Sequence, residues 1–222
     1  MNPTASETGS HLITLLASGM LVLQVLLAVQ PMLILNIRLF ALQSLLLAAI
    51  AGVVGSAYNA WHVYLVAVLT ILGKVLFLPW RLERLVRQIK IEQEIQPFAN
   101  TPASMLVCGA LTVLAYVVAR PITSLERLGN NTLAVALALL LTGFFLMINR
   151  RKAITQVLAL LTMENGVMLA AIALTTYGMP LVVEIGVFFD VVVAVMVLGI
   201  LVFRIRETFA SMDVSKLNEL KW

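Results

Sequence analysis

The chain has 222 residues, of which 61% are hydrophobic and 12% are charged, and its mean hydropathy is +1.02. A soluble domain has about 45–50% apolar and about 25% charged residues, so this composition excludes a water-soluble globular protein and predicts a multi-pass membrane protein. The formal net charge of +4 does not indicate nucleic-acid binding, because the basic residues belong to the predicted loops.

Seven segments are long and apolar enough to span a membrane, which takes about 20 mostly apolar residues. The predicted fold class is therefore an all-α integral membrane protein with about seven transmembrane helices. The opening segment, MNPTASETGS, lacks the basic start of a signal peptide, so the first span is expected to remain as a helix. The predicted spans are residues 11–31, 37–57, 60–79, 102–119, 130–148, 153–176 and 179–203.

A basic segment with helical periodicity, WRLERLVRQIKIEQEIQPFANTP, follows the third predicted span. Its alternation of apolar and basic residues predicts an interfacial amphipathic helix that ends near Pro97 and Pro102. A solvated connector is the alternative. The apolar residues are Leu82, Leu85, Val86 and Ile89, and the basic residues between them are Arg81, Arg84, Arg87 and Lys90.

Lysine and arginine are distributed unequally between the two sides of the predicted bundle. With the N-terminus outside, twelve of them lie in inner loops and the C-terminal tail, and two lie outside. Because cytoplasmic loops carry an excess of Lys and Arg, we predict an external N-terminus and a cytoplasmic C-terminus. The inner residues are Arg38, Arg81, Arg84, Arg87, Lys90, Arg150, Arg151, Lys152, Arg204, Arg206, Lys216 and Lys221, and the outer ones are Arg120 and Arg127.

Four ionisable residues lie inside the predicted spans: Lys74, Glu164, Glu184 and Asp190. A charge in the bilayer interior is costly unless a partner, a buried water or a neutral state offsets it. Lys74 is near the inner end of its span, where its side chain could extend to the headgroups. Glu184 is near the outer end of the last span and could be a boundary residue.

Glu164 and Asp190 are more informative because they are expected near the middle of the membrane. At 1.5 Å per residue, Glu164 is about 16 Å from the inner edge of the sixth span and Asp190 about 21 Å from that of the seventh. Neither side chain can reach the interface from there. Their similar depth on consecutive antiparallel helices predicts a functional pair, and a purely structural role is the alternative.

A buried carboxylate suits proton transfer, because removal from water favours its neutral form. When both states are accessible, a proton can pass along waters and polar side chains. The glycines Gly166 and Gly186 would let a neighbouring helix or water approach, and ordinary helix packing is their simpler explanation. Residues that could hold such waters are Thr162, Asn165, Thr175 and Thr176.

The sequence offers no motif for catalysis or for cofactor binding. It contains no GxGxxG, P-loop, HExxH or CxxC pattern, which would indicate nucleotide, zinc or redox sites. The single cysteine, Cys108, stands in an apolar stretch and is predicted to be a packed thiol. We therefore expect no cofactor, no metal and no enzymatic activity in this chain by itself.

The C-terminal part, about residues 147–222, resembles the three-helix subunit K of respiratory complex I and its relatives in multisubunit cation/proton antiporters. It is more similar to component E of hydrogenase-4 and formate hydrogenlyase systems, and the N-terminal half resembles that component in layout, with Lys74 in a GKVLFLP stretch. The motifs that carry the resemblance are NRRKA, MENG, EIG with a following acid, and DVSKLNEL, at Asn149–Ala153, Met163–Gly166, Glu184–Asp190 and Asp213–Leu220.

The resemblance implies which of the buried acids take part in proton transfer. In K-type subunits a glutamate in each of two adjacent helices is implicated in the proton path. Those positions fall on Glu164 and, with a Glu-to-Asp change, on Asp190. We therefore expect these two residues to relay protons, with Glu184, Lys74 and Asn165 as candidate relay residues or partners.

The resemblance also implies the domain organisation. A three-helix unit (1–80) is followed by an amphipathic cytoplasmic link (81–101), a fourth span with its outer loop (102–129), and a K-like three-helix unit with a cytoplasmic tail (130–222).

The implied function is that of a non-catalytic membrane-arm subunit of a nickel–iron hydrogenase or complex I-like respiratory assembly in a prokaryotic inner membrane. Its expected partners are antiporter-like large membrane subunits, other membrane-arm subunits and lipids, with the metal centres in other chains. Two alternatives stay open. One is a scaffold whose acids pair with cations on neighbouring subunits, and the other is a transporter, including a subunit of a cation/proton antiporter.

Overall fold

The computed structural model of the protein describes residues 3–58, 61–89, 98–121 and 131–174, and these ranges contain helices and no β-strand. The predicted all-α class is confirmed for this part of the chain. The helices are α1 (Pro3–Val29), α2 (Leu33–Tyr58), α3 (Trp61–Thr70), a π-helical segment (Ile71–Phe77), α4 (Leu78–Ile89), α5 (Thr101–Ala119), α6 (Thr132–Asn149) and α7 (Ala153–Leu174).

Among the described residues, five helices are long and apolar enough to cross a membrane. They correspond to the first, second, fourth, fifth and sixth predicted spans. The third, at 60–79, is helical from residue 61 but is divided by the π-helical segment. The seventh, at 179–203, lies outside the described residues, so a count of seven is not confirmed. The five segments are Gly9–Val29, Leu33–Ser56, Thr101–Ala119, Thr132–Asn149 and Ile154–Leu174.

Among the helices that the structure describes, α6 and α7 form the most extensive pair, and two glycines allow their close approach. A Cβ atom on Gly143 would lie 3.1 Å from the Met163 Cβ, and one on Gly166 would lie 3.0 Å from the Ala136 carbonyl oxygen. Small residues permit this approach of two backbones. The packing explanation for Gly166 is therefore confirmed, whereas Gly186 lies outside the described residues.

Helix α4 is amphipathic, as predicted, and its apolar face packs against the protein. Leu82 and Val86 are buried in a cluster with Phe40 of α2 and Leu158 of α7. The side chains of Arg81, Arg84 and Arg87 are exposed on the opposite face. The helix is thus attached to the bundle by its buried face, and its position at the membrane interface stays a prediction.

The segments predicted as inner loops meet at one end of the bundle. The backbone N–H groups of Phe98 and Ala99, which precede α5, donate to the main-chain and side-chain oxygens of Asn149 at the end of α6, at 3.2 and 2.7 Å. Arg150, in the turn after α6, donates to carbonyls at the end of α1. This arrangement has the alternating helix directions that the orientation prediction requires; the side that faces the cytoplasm stays a prediction.

The predicted packed thiol is confirmed. Cys108 is a free, buried cysteine in an apolar cluster with Leu27, Leu146 and Ala159.

Candidate functional site

The buried carboxylate that the sequence placed at mid-span has a cationic neighbour in the same chain. Glu164 lies in the middle of α7 and is 6% exposed, and Lys74 of the π-helical segment is 5% exposed. The Lys74 Nζ atom lies 3.5 Å from the Glu164 Oε2 atom. The alternative in which Lys74 extends to the headgroups is therefore wrong, because its ammonium group is inside the bundle.

Lys74 is presented by an unusual helical turn. The backbone N–H of Leu78 donates to the carbonyl of Gly73, five residues earlier, as in a π-helix. A π-turn holds one more residue than an α-turn, so it changes the direction of the side chains around it, and such turns are frequent at functional sites. The π-helical segment thus contributes the lysine that pairs with Glu164 of α7.

Asn165, next to Glu164 in the sequence, connects the lysine to helix α2. Its Oδ1 atom accepts a hydrogen bond from Lys74 Nζ at 3.3 Å. Its Nδ2 group donates to Ser44 Oγ at 3.0 Å and to Gln43 Oε1 at 3.4 Å. The side chain is fully buried, so these bonds satisfy an amide that would otherwise be costly to place there.

The network continues from α2 to α1 and returns to α7. Gln43 Nε2 donates to Gln24 Oε1 at 2.9 Å, and Gln24 Nε2 donates to Thr162 Oγ1 at 3.3 Å. The Thr162 hydroxyl in turn donates to the Ala159 carbonyl at 2.8 Å. We call this set the buried polar chain; it consists of Glu164, Lys74, Asn165, Ser44, Gln43, Gln24 and Thr162.

The structure brings together three of the five predicted site residues: Glu164, Lys74 and Asn165. The other two, Asp190 and Glu184, lie outside the described residues, as do Thr175 and Thr176. Sequence reasoning missed Gln24, Gln43 and Ser44 as members of the site. A signal was present, because polar residues inside transmembrane helices commonly hydrogen-bond to neighbouring helices, but these three lie in the first two spans, far in the sequence from Glu164.

A second buried polar group lies at the end of the bundle where the predicted inner loops meet. Arg150 is 4% exposed, and its Nη2 group donates to the carbonyls of Leu27, Ala28 and Gln30 at 2.6, 3.2 and 3.2 Å. A cation at the C-terminus of a helix interacts favourably with the helix dipole and with the terminal carbonyls. Arg150 therefore fastens α1 to the turn between α6 and α7.

The arrangement around Glu164 can accommodate a change in its protonation. The ionised carboxylate is offset by the Lys74 ammonium, and when the carboxyl is neutral the same ammonium keeps its hydrogen bond to Asn165. Within the described residues, no group of three or more His, Cys, Asp or Glu side chains is placed to hold a metal ion. A carboxyl group beside an ammonium group is a chemical arrangement that suits the uptake or release of a proton.

Comparison with known proteins gives a family match for the C-terminal region and relatives that are similar over nearly the whole chain. Residues 131–222 match the profile of the NADH-ubiquinone/plastoquinone oxidoreductase chain 4L family. That region includes Glu164 and Asn165 but not Lys74.

Two full-length relatives extend the similarity to the N-terminal helices. Hydrogenase-4 component E of Escherichia coli K12 is 31% identical over 218 residues, which cover 96% of this chain and 99% of that protein. The uncharacterized protein Rv0085 of Mycobacterium tuberculosis is 34% identical over 214 residues, which cover 96% of this chain and 97% of that one. No solved structure matches the chain.

Proposed function

The chain belongs to the hydrogenase-4 component E family, and from this we propose that it is a membrane subunit of a hydrogenase or complex I-like complex. The family match to chain 4L and the five apolar helices support this proposal. Within such a complex the subunit does not carry out the redox reaction. It contributes buried carboxylates to the proton or ion movement that the redox reaction drives.

The observation that carries the proposed mechanism is the buried pair of Glu164 and Lys74. A carboxylate at this depth is costly to keep ionised, and an ammonium group 3.5 Å away offsets much of that cost. The two protonation states of Glu164 are thereby brought closer in free energy. A charge that arrives on a neighbouring subunit can then shift the balance and make Glu164 take up or release a proton.

Lys74 has a defined part in this mechanism. Its ammonium contacts both Glu164 and Asn165, so it can move towards one or the other as the carboxyl changes charge. A change in the protonation of Glu164 in α7 would therefore affect the π-helical segment through Lys74 and helix α2 through Asn165. Lys74 is therefore proposed as the partner of the relay residue.

The remaining parts of the proposal concern residues and partners beyond this pair. Asp190 is proposed as the second relay residue and Glu184 as a further candidate, on the strength of the sequence motif alone. The proposed partners are antiporter-like large membrane subunits, which would receive or supply the proton. The proposed location is a prokaryotic inner membrane with the N-terminus outside and the C-terminus in the cytoplasm.

A scaffold is the second candidate function, and one observation favours it. The buried polar chain ties α1, α2, the π-helical segment and α7 together, which is what a purely structural network would do. In that case Glu164 and Lys74 would stay permanently paired. The expected partner of the acid would then lie within this chain and not on a neighbouring subunit.

The substitution Glu164→Gln separates the two candidates. It keeps the shape of the side chain and removes its ability to exchange a proton. The measurement is redox-driven proton movement in inverted membrane vesicles, together with the amount of assembled complex. The relay predicts an intact complex in which proton movement is lost.

The matched control is Glu83→Gln in α4. The Glu83 carboxylate lies outside the five candidate spans, next to Arg38 and Arg87 at 3.1 and 3.6 Å. Its loss should leave proton movement unchanged. If Glu164→Gln instead prevents assembly, the scaffold is favoured; if it changes neither measurement, Glu164 has neither role.

A further inference from the structure

Helix α4 has a basic face that the bundle does not cover. The side chains of Arg81, Arg84 and Arg87 are exposed, whereas Leu82 and Val86 on the other side of the helix are buried against α2 and α7. The three arginines follow one another at intervals of three residues, so their side chains are neighbours along the helix. Such a concentration of positive charge attracts an anionic partner.

The carboxylate within α4 leaves much of this charge available. Glu83 lies 3.1 Å from Arg38 Nε and 3.6 Å from Arg87 Nη2, so one negative charge is shared between two arginines. Arg81 and Arg84 form no ion pair with the residues that the structure describes. The face therefore keeps an excess of positive charge that an external anion can neutralise.

Exposed apolar side chains continue from the basic face into the π-helical segment. Leu72, Leu76, Phe77 and Trp80 are all exposed, and they precede the arginines in one continuous helical run. Tryptophan is enriched where the hydrocarbon of a membrane meets the headgroups. The guanidinium carbon of Arg84 lies 5.8 Å from the centre of the Trp80 ring, so a cation is placed at the boundary between the apolar and the basic parts of the surface.

The order of these features identifies the ligand by its chemistry. Guanidinium groups bind phosphate oxygens through paired N–H donors, and apolar side chains pack against acyl chains. A soluble anion would use only the arginines, and the ammonium group of a zwitterionic lipid would be repelled by them. A phospholipid with a net negative charge uses both parts of the surface, and basic clusters on amphipathic helices commonly bind such lipids.

We infer that this surface is a binding site for an anionic phospholipid, with the phosphate at Arg84 between Arg81 and Arg87 and the acyl chains along the apolar side chains of the π-helical segment. The lipid contacts the same helical run that carries Lys74, so it holds the position of that run against the bundle. The site is independent of the proton movement proposed above: undiminished transport in Glu164→Gln would overturn the relay and leave the lipid site in place.

Quenching of Trp80 fluorescence tests the site in the full chain. The substitutions Trp61→Phe and Trp222→Phe leave Trp80 as the one tryptophan. The chain is placed in bilayers that contain phosphatidylcholine and phosphatidylglycerol, with bromine, which quenches tryptophan on contact, on the acyl chains of one lipid or the other. At equal fractions, brominated phosphatidylglycerol should quench Trp80 more strongly than brominated phosphatidylcholine. Equal quenching by the two lipids overturns the site, because lipids without a binding preference would give that result.

The variant Arg84→Gln, made in the same background, tests the role of the arginines. It should lower the preference for phosphatidylglycerol by about fivefold, which corresponds to one basic residue at an anionic surface. Each variant is compared with itself in bilayers without bromine, because Arg84 contacts the Trp80 ring.

The matched control is Arg151→Gln. Arg151 is also exposed and also lies over an aromatic ring, that of Phe98, at 4.3 Å, but it does not belong to α4. This substitution should leave the preference unchanged. Equal decreases in the two variants would mean that only the total charge of the chain matters, and they would overturn the site.

Two further measurements separate the lipid from other occupants. Inorganic phosphate, compared with chloride at equal ionic strength, should not relieve the quenching by brominated phosphatidylglycerol; if it does, the site binds free phosphate and the inference is wrong. A map of the assembled complex should show phospholipid density beside Trp80 and Arg84. A protein subunit that covers both side chains there would overturn the lipid site.

Discussion

The ammonium group of Lys74 and the carboxylate of Glu164 lie 3.5 Å apart in the interior of the helix bundle. The two residues belong to different halves of the chain, and each is almost fully buried. Their separation is longer than the 2.7–2.9 Å or so of a tight charge-assisted hydrogen bond. The contact is thus an ion pair and not a tight hydrogen bond between the two groups.

Substitution Lys74→Met tests whether the pair carries charge. Methionine keeps most of the volume but removes the ammonium group that lies 3.5 Å from the carboxylate, and breaking a buried ion pair lowers the free energy of unfolding by about 3–5 kcal/mol. The double variant Lys74→Met/Glu164→Gln should be more stable than Lys74→Met alone, because it also lacks the buried carboxylate whose charge Lys74 offsets. Unfolding of the full chain in mixed detergent, followed by tryptophan fluorescence, measures both. A double variant that is no more stable than Lys74→Met would contradict the ion pair.

Substitution Gln43→Leu tests the middle of the buried polar chain. It removes the donor to Gln24 Oε1 and the acceptor for Asn165 Nδ2, so buried polar atoms lose their partners at a cost of about 1–3 kcal/mol. The control is Gln156→Leu in α7, whose exposed side chain donates to the Arg150 carbonyl. Water can replace that hydrogen bond, so we expect the free energy of unfolding to fall by about 0.5 kcal/mol or less. Equal losses in chemical denaturation would argue against the network.

Substitution Gly166→Ala tests the contact between α6 and α7. The added methyl group would lie 3.0 Å from the Ala136 oxygen, the Leu139 Cβ and the Leu140 nitrogen, and forced overpacking of this kind costs about 1–3 kcal/mol. Gly52 of α2 is the control, because a Cβ there meets nothing within 4 Å. Gly52→Ala should stabilise its helix by about 0.5–1 kcal/mol. In thermal unfolding, the melting temperature should fall for Gly166→Ala and rise for Gly52→Ala. Shifts of the same sign would contradict the close approach of α6 and α7.

Substitution Arg150→Ala should be far more damaging than the same change at its neighbour. Arg150 is buried and bonds to three carbonyls at the end of α1, and charged hydrogen bonds are worth about 1.5–3 kcal/mol each. Arg151 is exposed and lies 4.3 Å over the ring of Phe98, a contact worth about 0.5–1 kcal/mol. The yield and melting temperature of the purified chain distinguish the two. Similar decreases in yield and melting temperature for the two variants would show that Arg150 does not stabilise the position of α1.

The helices themselves could largely be predicted from the sequence. The spans predicted at 130–148 and 153–176 differ by a few residues at most from Thr132–Asn149 and Ala153–Leu174. A membrane demands a long apolar segment, so length and hydropathy locate such helices. The break in the third span could not be found in this way, because the π-helical segment has the same apolar composition as an α-helix.

The sequence predicted Glu164, Lys74 and Asn165 as members of the candidate site, but it did not predict the contacts between them. Glu164 is conspicuous because an ionisable group is rare in an apolar span. The sequence did not determine the partner of Glu164, since the Lys74 side chain could extend either to the headgroups or into the bundle. Only the packing of the helices selects the second direction. The basic run Arg150–Lys152 likewise gives no sign that its first member is buried while the second is exposed. Arg150 is buried because the carbonyl groups at the end of α1 lie beside it, and the sequence does not show that proximity.

The region that matches chain 4L contains Glu164 but not Lys74. A protein that consisted of that region alone would lack the Lys74 ammonium group of this contact. Here both charges are translated as one product, so every copy of the acid is made together with its counter-ion. The two residues are therefore always present in a one-to-one ratio, whatever other subunits assemble with the chain.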